Sequence, residues 1–299
     1  MGDLPNNEEA RDAVLASVLA AQQLRVSIVA VSDYCGNWFE NEPSMPCGIF
    51  HLIDQGSCWV RAPILDTPLQ LQSGDLIVFP RGGAHVLCGR LTESESSPEF
   101  STLICGEFAF ASARSNPILS ALPEAFVVRQ QDAGPALREL AEVLRSCAHR
   151  KLPGQQVLLD KLADSLFVMA VCQFAAQAQN RRGLLAALAD ARLAKALAAL
   201  HREPGKPWRV DSLAQVAGMS RTAFAVEFTR LLGASPIAYL TDFRIAEARR
   251  LLRDKRLSVA AVAEQLGYQS EAAFRRTFKR LEGVGPGQLR REAGESEGG

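Results

Sequence analysis

Residues 211–233, DSLAQVAGMSRTAFAVEFTRLLG, and residues 258–283, SVAAVAEQLGYQSEAAFRRTFKRLEG, carry one design twice. In each, a short helical pattern runs into a glycine (Gly218, Gly267), a serine follows (Ser220, Ser270), and a second helical pattern opens. Asp211 and Ser258 are the expected caps of the leading helices, because a side-chain oxygen there accepts from the unpaired N–H groups of the first turn. The trailing helices carry Phe224 and Phe228 in one copy and Phe274 and Phe278 in the other. A spacing of four sets both rings on one face, to be buried against the preceding helix. Two helices joined by a tight turn make the helix-turn-helix plan, whose second helix lies in a major groove of DNA. One such pattern is common. Two of them, joined by a regular helical stretch over 236–254 (PIAYLTDFRIAEARRLLRD), are specific.

Charge supports the same reading. Over the whole chain of 299 residues it balances, with 33 Lys or Arg against 33 Asp or Glu. Residues 208–291 hold fifteen basic and eight acidic residues, a net of +7, and the rest carries the balancing −7. An asymmetry of this kind suits one part that meets a polyanion and another that does not.

The sequence closely resembles the AraC/XylS family of transcription regulators over these 84 residues. The resemblance rests on G-x-SPIAYL-x(3)-R-x(2)-EAR-x-LL from Gly233, on VAAVAEQLGY-x-S-x(3)-F-x-R-x-FK from Val259, and on GVGPGQLRR from Gly283. One departure is Gln288–Leu289, where the family usually places an aromatic residue before the last arginine. The resemblance implies two recognition helices held by a rigid central helix. They would enter successive major grooves about one turn (~10 bp) apart. Groove-facing positions then fall on Arg221, Thr222, Ala225 and Val226 in the first helix, and on Glu271, Ala272, Arg275 and Arg276 in the second. An arginine fork meets O6 and N7 of guanine together, worth ~1–3 kcal/mol of discrimination, whereas Thr, Ala and Val touch a thymine methyl or make a single bond. The second helix is therefore expected to supply most hydrogen-bonded readout. Ser220, Ser270, Arg230, Lys279 and Arg280 are expected at phosphates, which position without reading sequence.

Upstream the pattern changes. Residues 9–23 have helical spacing, and from about 26 to 112 short apolar runs are broken by Gly, Pro, Asp and Ser, as in an antiparallel sandwich or barrel. The stretch GDLIVFPRGGAHVLCG (74–89) resembles the second cupin motif, with Pro80 and Gly82 in its turn, His85 aimed inward, and Gly89 where that motif ends in Asn. Of the first cupin motif only His51 remains. A shell of three histidines and a glutamate cannot be assembled, since two of the four histidines lie outside this region. Metal-dependent cupin enzymology is thus the remote alternative, and the chain is read as no enzyme. No cofactor is required. A metal ion is possible but not expected, its weak candidate ligands being His51, His85 and Cys88.

The expected fold is a two-domain α+β chain: a cupin-like β-barrel plus connecting helices, then an all-α double helix-turn-helix. The expected parts are an N-terminal helix (1–25), a sensor barrel (26–113), connector and dimerisation helices (114–202), the DNA-binding domain (203–291) and a disordered tail (292–299), with 201–208 (HREPGKPW) as linker and 91–98 (LTESESSP) as a polar loop. The barrel would sense a small ligand at His51, Trp59 and His85, or an oxidant or electrophile through a reversible disulfide of Cys35 with one of Cys47, Cys88 or Cys105. The odd number of cysteines, seven, and the absence of a C-x-x-C pair argue against a structural disulfide framework. The acidic N-terminus and the lack of an ~18-residue apolar run predict a cytoplasmic protein with no membrane partner. The partners expected are double-stranded promoter DNA, a second copy through the apolar stripe Leu158, Leu162, Leu166, Met169 and Val171, a small effector or oxidant, and RNA polymerase if the protein is an activator.

Overall fold

The short apolar runs become strands because successive side chains point to opposite faces, so each run can bury one face. The computed structural model describes residues 7–92, 100–111, 116–177, 183–254 and 256–295. Strands β1 (Arg25–Cys35), β2 (Phe39–Glu42), β3 (Gly48–Gln55), β4 (Ser57–Arg61), β5 (Leu69–Gln72), β6 (Leu76–Phe79), β7 (His85–Cys88), β8 (Phe100–Ala109) and β9 (Phe126–Val128) form two sheets, with antiparallel pairings throughout. One is ordered β1-β8-β3-β6-β9 and the other β2-β7-β4-β5. Their shared core contains Ile53, Val60, Leu71, Phe79, Leu87 and Leu103, all almost wholly buried. The Pro80–Gly82 turn of the cupin-like motif admits only glycine at its end. Gly82 has φ +61°, and a Cβ there would sit 2.2 Å from the Cys47 carbonyl oxygen.

Helices α3 (Pro135–Ala148) and α4 (Gln155–Gln177) complete this first compact unit. Strand β1 is a sheet edge, whose unpaired N–H groups would be a liability. The polar stripe of α4 covers it: Val26 N–H donates to Asp164 (2.9 Å), Ile28 N–H donates to Asp160 (3.0 Å), and Gln156 donates to the Ile28 carbonyl (2.8 Å). Of the apolar stripe on α4, Leu166 and Val171 are buried within the unit, while Leu158 and its neighbour Val157 remain 40% and 66% exposed.

The second compact unit takes α1 (Asn7–Gln22), α2 (Pro117–Ala121), α5 (Leu184–Ala189), α6 (Ala191–Arg202), α7 (Val210–Ala217), α8 (Arg221–Leu232), α9 (Pro236–Leu252), α10 (Val259–Gln265), α11 (Glu271–Glu282) and α12 (Pro286–Glu295). Here α1 packs on α6 and α9 through a buried bridge. His201 lies between Ser17 (3.2 Å) and Tyr239 (2.9 Å), and burial lowers its pKa to about 3, keeping it neutral. Two expectations change. The first helix-turn-helix opens on Arg209, whose backbone N–H meets Ser212, so Asp211 lies inside the helix and is not its cap. The stretch 201–208 is no free linker. Arg244 of α9 donates to the carbonyls of Pro204 (2.7 Å) and Lys206 (2.9 Å), Trp208 is buried, and Gly205 lies against the Gly267 turn so closely that a Cβ on Gly267 would be 2.0 Å from the Gly205 oxygen. The last helix reaches Glu295, taking in the start of the expected tail; residues 296–299 and residues 93–98 of the expected polar loop lie outside the described residues. Among the described residues no helix is long and apolar enough to cross a membrane.

Candidate nucleic-acid interface and the barrel interior

The two trailing helices are built alike. Adding fifty to a residue number carries Ser220 to Ser270, Phe224 to Phe274, Phe228 to Phe278, Gly233 to Gly283 and Pro236 to Pro286. All four phenylalanines are fully buried. Each serine caps its helix, Ser220 Oγ accepting from Ala223 N–H (3.3 Å) and Ser270 Oγ from Ala273 N–H (3.2 Å). The hydroxyl proton stays available for a phosphate oxygen. Glycines in the left-handed region, Gly233 and Gly283, end both helices.

Burying the phenylalanine face turns the opposite face outward. On α8 it shows Arg221, Thr222, Val226 and Arg230, with Ala225 half-buried; on α11 it shows Ala272, Arg275, Arg276, Lys279 and Arg280, with Glu271 half-buried. Val226 is 62% exposed, an apolar side chain that folding leaves uncovered. Three of the cations rest in exposed ion pairs: Arg221 with Asp211 (3.5 Å), Arg230 with Glu227 (2.5 Å) and Arg275 with Glu271 (2.6 Å). Such solvent-exposed pairs are screened and contribute little, so breaking them to meet a phosphate or base costs little. Arg276, Lys279 and Arg280 have no salt-bridge partner among the described residues. Leu289, the departure from the family pattern, packs half-buried on the second core, a hydrophobic role an aliphatic side chain can fill.

In the barrel, His51 and His85 meet Nε2 to Nε2 at 2.7 Å. Their protons can be placed. His85 Nδ1 lies 2.7 Å from the Gly83 carbonyl, which only accepts, so Nδ1 carries the hydrogen and Nε2 the lone pair. His51 Nε2–H therefore donates to His85, leaving His51 Nδ1 to accept from the Cys105 thiol at 3.1 Å. Every bond in this chain is satisfied with both imidazoles neutral and the thiol protonated. Burial drives each group that way: it lowers His51 to about 3, lowers His85, and raises Cys105 to about 12, with Glu42 and Glu40 adding to the last. Phe79 stacks on His85, ring centroids 3.9 Å apart, fixing its plane.

Other barrel expectations fall to strand register. Trp59 alternates with the inward Cys58 and Val60, so it faces away from the histidines. Cys88 lies three residues beyond His85 and alternates to the other face of β7; the thiol beside the histidines is that of Cys105. Cys35 pairs opposite Phe100 and Cys105 opposite Ala30, five residues or about 16 Å apart along β1, beyond the ~7 Å limit of a disulfide. Cys35 is exposed, Cys105 buried, and Cys47 is raised by burial and by its bond to Glu107. Among the described residues no cluster of three metal-type ligands forms. Two residues were missed. Glu40 and Glu42 of β2 sit opposite Leu87 and His85 and share their face; the alternation of FENE (39–42) was the available signal.

A cupin family pattern matches residues 13–176, and a helix-turn-helix domain pattern matches residues 213–292. The RCS-specific HTH-type transcriptional activator RclR of Escherichia coli is 30% identical, covering 81% of this chain and 83% of that protein. The HTH-type transcriptional regulator AlkR of Acinetobacter baylyi is also 30% identical, over 86% and 92%. Among solved structures, the DNA-binding domain of AdpA in complex with a target DNA is 33% identical, covering 33% of this chain and 89% of that one, with a TM-score of 0.32.

Proposed function

The chain belongs to the AraC family of HTH-type transcription regulators, with a cupin N-terminal domain, and from that premise we propose that α8 and α11 enter successive major grooves of a promoter duplex. Arg275 and Arg276 read bases through hydrogen bonds, Thr222, Ala225 and Val226 read thymine methyls, and Arg221 serves either role. Ser220, Ser270, Arg230, Lys279 and Arg280 hold phosphates. The observation that carries this reading is the outward face of α11, four cations on one helix side opposite two buried phenylalanines. An electrophoretic shift with DNA upstream of the protein's own gene tests it. Affinity should fall steeply, by ~10³-fold or more from 50 to 200 mM salt if six or more phosphates are engaged. Retention indifferent to salt overturns it.

The barrel is the signal-receiving part, and a small effector acts on the His51–His85–Cys105 chain. Three polar groups in an apolar core, each fully bonded, form a network that a displacing molecule must break and replace. The neutral chain has a pH consequence. Below about pH 6.5 the unfolded chain binds protons that His51 refuses until about pH 3, so stability falls as pH drops through that window. Differential scanning of the full chain against metals, oxidants and metabolites, alongside His85→Leu, identifies the effector as the compound that raises Tm only in the native sequence. Equal shifts in both proteins remove the chain from the reading. The exposed part of α4 around Val157 and Leu158 serves a homodimer. Activation through RNA polymerase in the cytoplasm, in keeping with the activator named among the relatives, completes the proposal.

A further inference from the structure

The two helix-turn-helix copies differ most in the cleft between the recognition helix and the helix that follows it. In the second copy α11 and α12 enclose an open cavity of about 440 Å³ lined by Arg275, Lys279 and Arg291, with Gly283, Gly285 and Gly287 on its floor; among the described residues no acidic side chain lines it. Fifty residues earlier the corresponding positions are Ala225, Thr229 and Thr241, with Ser235 and Ile237 in place of Gly285 and Gly287. The first copy therefore has no cation at any of the three places. Its following helix, α9, is closed at the start by Ser235, whose Oγ accepts from Ala238 N–H at 3.3 Å. In the second copy Gly285 stands where that cap would be and has no side chain to offer. A Cβ on Gly285 or Gly287 would meet nothing within 4 Å. Three cationic side chains line this open space, and its floor is glycine.

We propose that this cleft is a phosphate seat, taking one backbone phosphodiester of the duplex beside the second half-site. Arg291 and Lys279 contact the anionic oxygens; Arg275 lines the same cleft and, on leaving Glu271, reaches the neighbouring base edge. The inference rests on the DNA-binding reading and deepens it by adding Arg291 and the glycine floor to the interface. It also gives the second copy a backbone contact that the first copy lacks.

The test uses the full chain and a fluorescent duplex from its upstream region, titrated at several salt concentrations. Arg291→Ala should weaken binding about three- to tenfold at ~0.1 M salt. It should do so equally for an unrelated duplex, and should lower the log–log salt slope by about 0.9, the signature of one lost phosphate. Gly287→Glu should lose substantially more affinity than Gly287→Gln, since both fill the same space and only one places a negative charge in it. Circular dichroism melts of each variant separate a folding defect from a binding defect. Inorganic phosphate is the second arm. If it raises the Tm of the DNA-free chain at low millimolar concentration, and Arg291→Ala abolishes that rise while duplex binding is unchanged, the seat serves a free phosphorylated molecule and the DNA assignment is overturned. Salt-dependent binding with an unaltered slope in Arg291→Ala removes the seat alone. Absence of duplex binding by the native sequence removes the DNA reading itself.

Discussion

Helices α8 and α11 have the same interior and opposite exteriors. Both bury a Phe pair four residues apart, both open on a capping serine, and both close on a left-handed glycine. Outside, Arg221 corresponds to Glu271, Thr222 to Ala272, Ala225 to Arg275, Val226 to Arg276 and Thr229 to Lys279; Arg230 and Arg280 agree, as do the small Ala223 and Ala273. Packing constrains one face and leaves the other free, so a duplicated unit keeps its core while its surface specialises. On the proposed reading the first helix meets mainly thymine methyls, and the second supplies most of the hydrogen-bonded readout and the larger share of cations.

The largest effects should treat the copies as equals. Phe228→Ala and Phe278→Ala each remove a fully buried ring, which costs about 3–5 kcal/mol in a core. Hydrogen exchange resolved along the full chain should show loss of protection of this order over 210–232 for the first and 259–282 for the second. A gap of more than about 2 kcal/mol between them would mean that one core can collapse around the void and the other cannot, and the interiors would no longer count as the same.

The next effects should separate them. Arg276→Ala should weaken operator binding by ~1–3 kcal/mol and relax preference at one base pair. Val226→Ala, at the corresponding position, loses only methyl contact and should weaken binding a few fold. A binding-site selection performed with both variants reads this directly. Equal losses would place the specificity burden on both helices and end the division of labour proposed above.

How much of this was legible beforehand follows from the range of the interactions. The Phe pairs, serine caps and glycine ends are contacts within four or five residues, and the pattern shows them. The position of His85 was legible through the motif around Pro80, and that of His51 as the remnant of the first cupin motif. What could not be read is set by register and by distant backbone contacts. Trp59 and Cys88 face away from the histidines because of strand alternation, and Cys35 is far from Cys105 because β1 pairs antiparallel to β8 with Ala30 opposite Cys105. The stretch 201–208 looks like a linker from its prolines and glycine, yet Arg244, forty residues away, pins it. The acidic stripe of α4 that covers the β1 edge bridges more than 130 residues, and no local pattern announces it.

The caps return the comparison to symmetry at a smaller scale. Ser220→Ala and Ser270→Ala each remove one acceptor from an exposed first turn, worth ~1 kcal/mol of stability. If the hydroxyls also donate to phosphates, each variant should lose affinity at constant salt beyond what its melting temperature explains. A stability loss with unchanged duplex binding would confine both serines to capping.

The smallest effect is the sharpest, because it makes one copy resemble the other. Thr229 is exposed at the position that Lys279 occupies on α11. Thr229→Lys adds one cation to the outward face of α8 without touching its core, and a straight-chain residue suits a helix at least as well as threonine does. If the two helices lie in successive grooves with the same orientation, that lysine reaches a phosphate. The salt slope should then steepen by about 0.9 and affinity rise a few fold for any duplex, while Lys279→Thr does the reverse. Were Thr229→Lys to leave the slope unchanged while Lys279→Thr reduced it, the two helices would approach DNA differently despite their common build. The fifty-residue correspondence would then describe how the protein folds and not how it binds.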